Sequence, residues 1–438
     1  MHLDHRHFDR RHRIAQGDRR VGVPAGIEHH AVVTAFGLLH GVDQLALVIG
    51  LEVIQRDLRI TRPQFVEVIP ERPLAVDLRF APPLQIEIGA VEYQYFHYRV
   101  VFFLRRKGND KSRIIYIFGF ALIVSFMTEF DFIRRIAARF AALPANGFEG
   151  IGDDCAVLPV GDGEALLFTS DLLTEGVHFL RAATSARELG RKSLAVNLSD
   201  VAAMGGRPVA TLLSLSLPTD AAGDWAEEFM QGYYESSERF GVALVGGDTT
   251  RSESGIVIDV TAIGRADAAR IKRRSDARAG DTVFVAGELG ASGAGLRDIL
   301  AGRYDTPLAA VHRNPQPQVA EGLWLGARPE VHAMMDLSDG LASDIRHILE
   351  RSHCGAVLDT ERIPCAAGAD TQLAACGGED YKLLLTADSV HAERLATDFL
   401  KEFGEPLYPI GRIIEGSELV WRENGRSVEP HWQPFAHF

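Results

Sequence analysis

Seven aspartates of this sequence follow short apolar runs or lie in glycine-rich turns. They are Asp153, Asp154, Asp171, Asp200, Asp248, Asp336 and Asp339. If the fold gathers these side chains, their negative charges repel one another unless cations lie between them. Oxygen-rich sites of this kind suit Mg²⁺, which in proteins is commonly shared with phosphate groups. The pattern therefore predicts a phosphoryl-transfer enzyme.

The two adjacent carboxylates of GIGDDCAVL, residues 150–158, are the first of these groups. Neighbouring side chains on a strand point in opposite directions, so Asp153 and Asp154 can reach two ions, or one ion and one water. A solvated turn is the ordinary alternative, because Asp and Gly are common in turns.

Hydroxyl groups precede the next carboxylate, at the carboxyl end of a strand that we predict over residues 165–169. Thr169, Ser170 and Asp171 combine hydroxyl and carboxylate oxygens, a normal pairing for Mg²⁺ in nucleotide sites. Open α/β sheets usually bind ligands at such strand ends. His178 follows and is a candidate substrate contact, although a lone histidine is more often structural.

Two further aspartates differ in their surroundings. Asp200 lies in a predicted helix over 186–204, where aspartate has poor propensity, so it faces water, caps the helix or binds metal. Asp248 follows Gly247 in GGDTT, after a predicted strand over 242–245. The glycines allow phosphate to approach the backbone closely, and successive N–H groups can bind it.

The segment MMDLSDGLASDI, residues 334–345, joins a predicted strand end to a predicted helix. Asp336, Ser338 and Asp339 lie at this junction, and Ser338 or Asp339 can serve as the helix N-cap. A helix N-terminus also attracts phosphate, which is compatible with capping. In GGED, Glu379 follows another glycine pair and is a candidate substrate contact.

Two common phosphate-binding signatures are missing from the sequence. It has no GxxxxGK[ST] loop and no Gly-Lys pair, and the HRD and DFG motifs of protein kinases are also absent. A nucleotide enzyme with this sequence must therefore hold phosphate through metals, backbone amides and isolated Arg or Lys side chains.

Alternating strands and helices after Met127 indicate a mixed α/β, or α+β, fold of two domains. We expect the first domain at 127–265, a polar and basic linker at 266–281, and the second domain at 282–438. The net charge of −13 argues against nonspecific nucleic-acid binding. The four cysteines lack CxxC spacing, which indicates reduced thiols and a cytoplasmic location.

Residues 1–126 differ in composition, since they are basic whereas the remainder is strongly acidic. We expect this segment to be a disordered extension or the result of a misassigned start at a position upstream of Met127. Mass spectrometry of the natural N-terminus distinguishes these cases. The apolar run at 114–126 is a candidate membrane anchor, but it is shorter than the ~20 residues that span a bilayer, so we expect no membrane association.

Together, six motifs resemble the thiamine-monophosphate kinase family in order and spacing from Met127 to Phe438. They are GIGDDCAVL, TSDLLTEGVHF, KSLAVNLSDVAAMGG, GGDTTRS, MDLSDGLASDI and GGEDYKLLLT. The resemblance implies phosphorylation of thiamine monophosphate to thiamine diphosphate with ATP and Mg²⁺. It also implies the two-domain fold of aminoimidazole ribonucleotide synthetase, a homodimer with a β-barrel across its N-terminal domains, and ATP between the domains.

The resemblance further implies a role for each matching residue. The implied metal ligands are Asp154, Thr169, Ser170, Asp171, Asp200, Asp248, Asp336 and Asp339. The implied ATP contacts are Gly247, Asp248, Arg274 and Ser338, and the implied substrate contacts are His178, Glu379 and Phe435. It implies direct in-line transfer without a phosphoenzyme, for which Asp171, Asp200 and Asp336 are the expected catalytic residues.

Two other functions are compatible with parts of the sequence. One is a different ATP-using enzyme of the same superfamily, such as a selenophosphate synthetase, which uses a reactive Cys or selenocysteine; only Cys155 lies in a comparable position. The other is a non-enzymatic nucleotide-binding or metal-sensing protein, tethered to a membrane through 114–126. An assay with ATP and thiamine monophosphate separates these functions from the kinase.

Overall fold

The computed structural model describes residues 129–430 and Trp432, together with the backbone of nine strands between residues 30 and 122. The chain divides into two compact units, Met1–Phe126 and Met127–Phe438. Each unit is described by itself.

The described strands of the first unit form antiparallel sheets. They are β1 (His30–Leu39), β2 (Val42–Glu52), β3 (Glu67–Arg72), β4 (Ala75–Arg79), β5 (Leu84–Ile88), β6 (Tyr98–Arg99), β7 (Phe102–Arg106), β8 (Ile115–Tyr116) and β9 (Ala121–Leu122). The sheet orders are β1-β2, β3-β4-β5-β7-β8 and β6-β9. The other residues of 1–128 lie outside the described part, and the expectation of a disordered extension or a misassigned start stays a prediction.

The apolar run at 114–126 contains β8 and β9, and its remaining residues lie outside the described part. Within the part of the chain that the structure describes, no helix combines the length and apolar character needed to cross a bilayer.

The second unit begins with a helix and a five-stranded sheet, here called the first sheet. Its elements are α1 (Glu129–Phe140), β10 (Ala156–Gly161), β11 (Glu164–Thr174), α2 (Ala186–Ala203), β12 (Arg207–Leu217), α3 (Asp224–Phe240), β13 (Ala243–Arg251) and β14 (Val257–Asp267). The strand order is β10-β11-β14-β12-β13, in which only β12 and β13 pair in parallel. Alternate residues of β14, from Ile258 to Ala262, are buried, as expected for a sheet with one covered face.

A seven-stranded sheet, here called the second sheet, completes the unit. Its elements are β15 (Thr282–Ala286), α4 (Ala291–Leu300), α5 (Pro307–Arg313), α6 (Val319–Gly326), β16 (Val331–Asp336), α7 (Leu341–Ser352), β17 (Gly355–Asp359), α8 (Thr371–Cys376), β18 (Leu383–Ala387), α9 (Ala392–Phe403), β19 (Leu407–Ile414), β20 (Leu419–Glu423) and β21 (Arg426–Val428). The strand order is β16-β18-β15-β19-β17-β20-β21.

Helix α2 lies at the centre of the second unit and is buried on almost every side. It packs against α3 and the first sheet, and also against α5, α6 and β16. Gly190 permits the close approach of α3, since a Cβ there would lie 2.1 Å from the carbonyl oxygen of Phe229. The helix begins with a capping box in which the side chains of Ser185 and Glu188 each accept from the other's backbone N–H.

The sequence predicted most of these elements. The helix predicted at 186–204 corresponds to α2, and the helix predicted at the MMDLSDGLASDI junction corresponds to α7. It missed the short elements β10, α5, α8 and β21. A signal for α5 was present, because Thr306 caps the helix and Pro307 occupies its first turn, a common arrangement at helix starts.

Two strands extend further than predicted, which changes the setting of two motifs. Strand β11 continues to Thr174, so Thr169, Ser170 and Asp171 lie within it and not at its end. Strand β13 continues to Arg251, so GGDTT is part of a strand and not a turn after one. Pairing with β14 and β12, respectively, extends these strands through the polar residues, which local sequence does not predict.

We expect residues 127–438 to fold and to keep the activity of the full-length chain without residues 1–126. The physical reason is that the second unit contains its own hydrophobic cores on both sheets. Differential scanning calorimetry and an activity assay on both forms check this expectation. Loss of the cooperative unfolding transition in the shorter form would contradict it.

Candidate active site

Three carboxylates from distant parts of the chain meet beside helix α2. Asp154 comes from the loop before β10, Asp200 from the last turn of α2, and Asp336 from the end of β16. One oxygen from each lies within 4.8 Å of the others. The cluster therefore brings together a loop that precedes the first sheet, a helix, and a strand of the second sheet. The sequence analysis expects these three aspartates to lie close together.

Burial and mutual repulsion raise the pKa values of two carboxylates of the cluster, Asp200 and Asp336. Burial, followed by the charge of Asp154, raises the pKa of Asp336 from 3.8 to about 8. Burial raises the pKa of Asp200 well above its ordinary value, with further contributions from Asp171 and Asp336. A divalent cation that binds here must displace the protons of these carboxyl groups.

Hydroxyl and amide groups orient the carboxylates of the cluster. Thr169 donates a hydrogen bond to Asp200 across the gap between β11 and α2. Ser199 donates from Oγ to Oδ2 of Asp336 at 2.5 Å. The buried side chain of Asn197 accepts from the backbone N–H of Asp171 at 3.1 Å, which fixes that strand residue against the helix. Ser199 and Asn197 were not predicted; their signal was polar residues inside an otherwise apolar helix.

Asp171 lies beside the cluster on β11. Burial, followed by the charge of Asp259, raises its pKa to about 6, and Asp154 adds to the effect. Asp171 also raises the pKa of Asp200. Asp171 therefore belongs to the same electrostatic system as the three clustered carboxylates.

Among the described residues, Arg274 is the one cationic side chain that contacts the cluster directly. Its Nη2 donates to Oδ1 of Asp154 at 2.6 Å, and its backbone N–H donates to Oδ1 of Asp153 at 2.7 Å. The two adjacent aspartates therefore differ in role, since Asp153 fixes the backbone of the segment that carries Arg274. Burial raises the pKa of Asp153 to about 6 despite this hydrogen bond.

Two buried polar atoms at this ion pair have no hydrogen-bond partner within the described residues. They are Oδ2 of Asp154 and Nε of Arg274. An unpaired buried carboxylate oxygen costs free energy, and a cation beside it would remove that cost. Because the cluster offers only hard oxygen donors, its residues fit a Mg²⁺ ion.

Two predicted metal ligands lie on the other face of the first sheet. Ser170 donates to Oδ1 of Asp259 at 2.9 Å, and its Oγ lies 3.3 Å from Oγ1 of Thr261.

The pairing register places Asp248, Ser214 and Asp259 in one row across β13, β12 and β14. Side chains alternate between faces, so this row is separate from Thr169 and Asp171. The sequence analysis did not predict Asp259, although polar residues at alternate positions of an apolar strand indicate a polar face.

Gly247 has a packing role in β13. Its φ is +148°, and a Cβ there would lie 1.7 Å from the carbonyl oxygen of Leu213 on the neighbouring strand. Glycine is therefore required at this position because the backbone of β12 lies so close to it.

The junction between β16 and α7 is capped differently from the sequence-based expectation. The N-cap position of α7 is Gly340, not Ser338 or Asp339. The buried carboxylate of Asp344 accepts from the backbone N–H groups of Asp339 and Gly340 at 3.1 and 3.0 Å. The carboxylate of Asp344 therefore already accepts hydrogen bonds from two backbone N–H groups at the start of α7, where the sequence analysis expects phosphate to bind.

Two predicted substrate residues are joined by one lysine. The imidazole Nδ1 of His178 accepts from the backbone N–H of Thr174 at 3.0 Å. Lys192 donates from Nζ to the carbonyl oxygen of His178 and to the carboxylate of Glu379. The sequence-based prediction missed Lys192, whose only signal was a charged residue in a buried helix. The third predicted substrate residue, Phe435, lies outside the described residues.

Two domain families and several characterised proteins are similar to this chain. AIR synthase related protein, N-terminal domain, matches residues 152–266, and AIR synthase related protein, C-terminal domain, matches residues 278–422. Thiamine-monophosphate kinase from Haemophilus influenzae is 36% identical over 302 residues, which cover 66% of this chain and 90% of that protein. This chain belongs to the thiamine-monophosphate kinase family.

Solved structures support the same conclusion and the two-domain mixed α/β fold. A structure described as AaThiL complexed with AMPPCP and TMP matches with a TM-score of 0.62 and 32% identity, covering 71% of this chain and 97% of that chain. Thiamine-monophosphate kinase from Stenotrophomonas maltophilia K279a matches with a TM-score of 0.56 and 36% identity, covering 70% and 98%. As a thiamine-monophosphate kinase family member, the protein is a phosphotransferase.

The raised pKa values generate a prediction about stability and metal binding. A carboxyl whose pKa is raised in the folded state stabilises the fold at low pH, and this contribution is lost as the pH rises through that pKa. For Asp336 the loss extends from its ordinary 3.8 up to about 8. We therefore expect Mg²⁺ to raise the melting temperature more at about pH 8 than at about pH 5.

Thermal unfolding with Mg²⁺ or EDTA at both pH values measures this effect. Asp336→Asn is the matched control, because the amide does not titrate, and it should reduce the stabilisation by Mg²⁺. An equal increase in melting temperature at both pH values, or in the variant, would contradict the metal assignment.

Proposed function

We propose that this enzyme transfers the γ-phosphoryl group of ATP to thiamine monophosphate and so forms thiamine diphosphate. The observation that carries this proposal is the buried cluster of Asp154, Asp200 and Asp336, within a family of thiamine-monophosphate kinases. The AMPPCP and TMP complex of the similar AaThiL protein supports ATP and thiamine monophosphate as the two substrates.

The proposed chemistry is direct in-line transfer without a phosphoenzyme. The acceptor is a phosphate oxygen that is already anionic near neutral pH, so the reaction hardly needs a general base. The main barrier is the approach of two polyanions, and positioning together with charge neutralisation lowers it. Bound Mg²⁺ would supply positive charge between the two phosphate groups.

Individual residues have distinct proposed roles in this chemistry. Asp154, Asp200 and Asp336 would hold the central cation, while Thr169 and Ser199 orient two of these carboxylates. Arg274 would neutralise Asp154 and contact ATP through the part of its guanidinium that Asp154 does not engage.

Further ions remain part of the proposal. The proposed ligands are Asp171 and Asp339 near the cluster, and Ser170 and Asp248 on the other face of the first sheet. Gly247 and Ser338 remain proposed ATP neighbours. The row containing Ser170, Asp259 and Asp248 supports a second cation position on the outer face of the first sheet. His178, Glu379 and Phe435 remain proposed contacts to thiamine monophosphate.

A selenophosphate synthetase-like reaction is the alternative within this superfamily. It would need a reactive cysteine, but Cys155 is only 2% exposed. Burial and four neighbouring aspartates raise the pKa of its thiol well above 9.0, so the reactive thiolate is disfavoured. This environment favours the kinase.

A coupled assay tests the proposed reaction. The full-length protein, ATP, Mg²⁺ and thiamine monophosphate should yield thiamine diphosphate and ADP in equal amounts. ATP binding without thiamine diphosphate, or product formation only with selenide, would overturn the proposal.

Removing one carboxylate charge tests the proposed metal ligands. We expect Asp200→Asn and Asp171→Asn to lower turnover by roughly 10²–10³-fold, comparable to losing one group that stabilises transition-state charge. The fold should persist, because the amide has nearly the same shape.

The matched control is Asp162→Asn, which removes a charge from the exposed turn between β10 and β11. Its backbone φ of +51° is one that asparagine adopts readily. Steady-state kinetics should show wild-type turnover for this control. Equal turnover in all three variants at ordinary Mg²⁺ would refute the ligand assignment.

We also propose a homodimer that forms through the edge of the first sheet. Strand β13 is exposed along its whole length, and an unprotected edge favours pairing with another strand. The neighbouring strand β12 exposes Leu212, and β13 itself exposes Leu244 and Val245. Two copies paired here would continue the sheet into a barrel across the interface.

Val245→Glu should shift this equilibrium toward the monomer, because Val245 is 60% exposed in the single chain and a dimer would bury the new charge. Sedimentation velocity measures the association state. Val390→Glu is the control, since Val390 is 82% exposed between β18 and α9. A monomeric wild type, or a dimeric Val245→Glu variant, would count against this interface.

Cytoplasmic action remains our inference, because all four cysteines are free thiols.

A further inference from the structure

A deeply buried lysine connects the two sheets at the predicted substrate site. The side chain of Lys192, on α2, is 2% exposed. Its Nζ donates to the carbonyl oxygen of His178 at 3.4 Å and to Oε2 of Glu379 at 2.9 Å. Since His178 follows a strand of the first sheet and Glu379 precedes a strand of the second, one ammonium group links both.

Stability alone does not explain a lysine in this position. Burying an ammonium group removes its hydration at a large cost, and a well-packed apolar pair is often at least as stable as a buried ion pair. The two charges also differ in accessibility, because the Glu379 side chain keeps 21% exposure. Glu379 is therefore the more accessible partner of this ion pair, and Lys192 is the enclosed one.

The backbone also holds Glu379 in a defined position. Its φ is +63°, a left-handed conformation that is strained for a non-glycine residue and often marks functional sites. Its N–H donates to the carbonyl oxygen of Ser338 at 2.7 Å. The Glu379 loop is therefore fixed against the segment that carries Asp336 of the carboxylate cluster.

Lys192 supplies the positive charge that balances Glu379. Nδ1 of His312 lies 3.4 Å from the same carboxylate oxygen, but burial and Lys192 lower the pKa of His312 to about 4, so it is neutral near pH 7. Burial would raise the pKa of Glu379, yet Lys192 and then His312 hold it below its ordinary value. The titratable groups that face Glu379 are Lys192 of α2, His178, His312 of α5, Asp380 and Tyr381.

We propose that Lys192 is a positioning residue that holds Glu379 as an ionised acceptor for an amino or cationic group of the phosphate-accepting substrate. This inference rests on the proposed function. Thiamine monophosphate carries an amino group and a positive ring besides its phosphate, and an ionised carboxylate binds either one favourably. Lys192 acts through Glu379 and does not itself contact the substrate.

Lys192→Met tests this role, because methionine fills much of the same space without a charge. Without Lys192, burial raises the pKa of Glu379, so acid should protonate it and weaken substrate binding. We expect the KM for thiamine monophosphate, relative to wild type at the same pH, to rise about tenfold for each pH unit below the new pKa. The KM for ATP and kcat at saturating substrate should change little.

Lys272→Met is the matched control. Lys272 is another buried lysine, and its Nζ donates to the carbonyl oxygens of Arg328 and Val331, both at 2.8 Å. Its removal costs stability in a comparable way, but Glu379 keeps its partner. The relative KM of this variant should therefore be independent of pH.

Glu379→Gln gives a second test, and combining it with Lys192→Met removes both charges of the buried pair. The neutral amide should raise the KM for thiamine monophosphate without any dependence on pH relative to wild type. Adding Lys192→Met to this variant should change the KM by less than about twofold, since the lysine no longer has a carboxylate to orient.

The outcomes separate this inference from the proposed function. A flat relative KM for Lys192→Met, or a large further loss in the double variant, would overturn the role of Lys192 while wild-type turnover remains. If the single lysine variant does not fold, the comparison of the double variant with Glu379→Gln decides the inference. Absence of thiamine diphosphate formation by the wild-type protein would instead overturn the proposed function.

Discussion

Mutual repulsion among buried carboxylates is the constraint on which the rest of this structure depends. Asp154, Asp200 and Asp336 place oxygens within 4.8 Å of one another, which is unfavourable in a poorly solvated site unless protons or cations intervene. Hydroxyl donors hold two of the carboxylates in place, and Arg274 pairs with the third. The fold therefore holds three ionisable carboxylates in an arrangement that is unfavourable by itself, which is the physical basis for proposing a divalent cation here.

Helix α2 is the element that makes this arrangement possible. A helix buried on nearly every side is normally apolar all round, but α2 carries buried polar residues at Lys192, Ser193, Asn197 and Ser199. Apart from Ser193, which bonds within the helix, these side chains reach the carboxylate cluster or the Glu379 loop. The helix is thus the common wall of the carboxylate cluster and the Glu379 loop, and its buried polar side chains contact the residues that we propose to bind metal and substrate.

Opposite charges across the two sheets link the assembly of the site to the packing of the second unit. Arg274 follows the first sheet and pairs with Asp154, while Lys192 of α2 reaches Glu379 ahead of β18. Breaking either pair leaves a buried charge without its partner, which costs more than the intact pair contributes. The packing of the second unit and the placement of these charged groups therefore depend on each other.

The sequence by itself determined the chemical class and most of the helices and strands of the second unit, because these depend on residue type, periodicity and motif order. It did not determine which acids share a site. Only strand pairing decided that Ser170 and Asp248 lie on the opposite face from Asp171, and that GGDTT belongs to a strand. Likewise only tertiary packing brought Lys192 to Glu379 and Asp259 to Ser170, since contacts between residues so distant in sequence depend on how complete sheets and helices pack together.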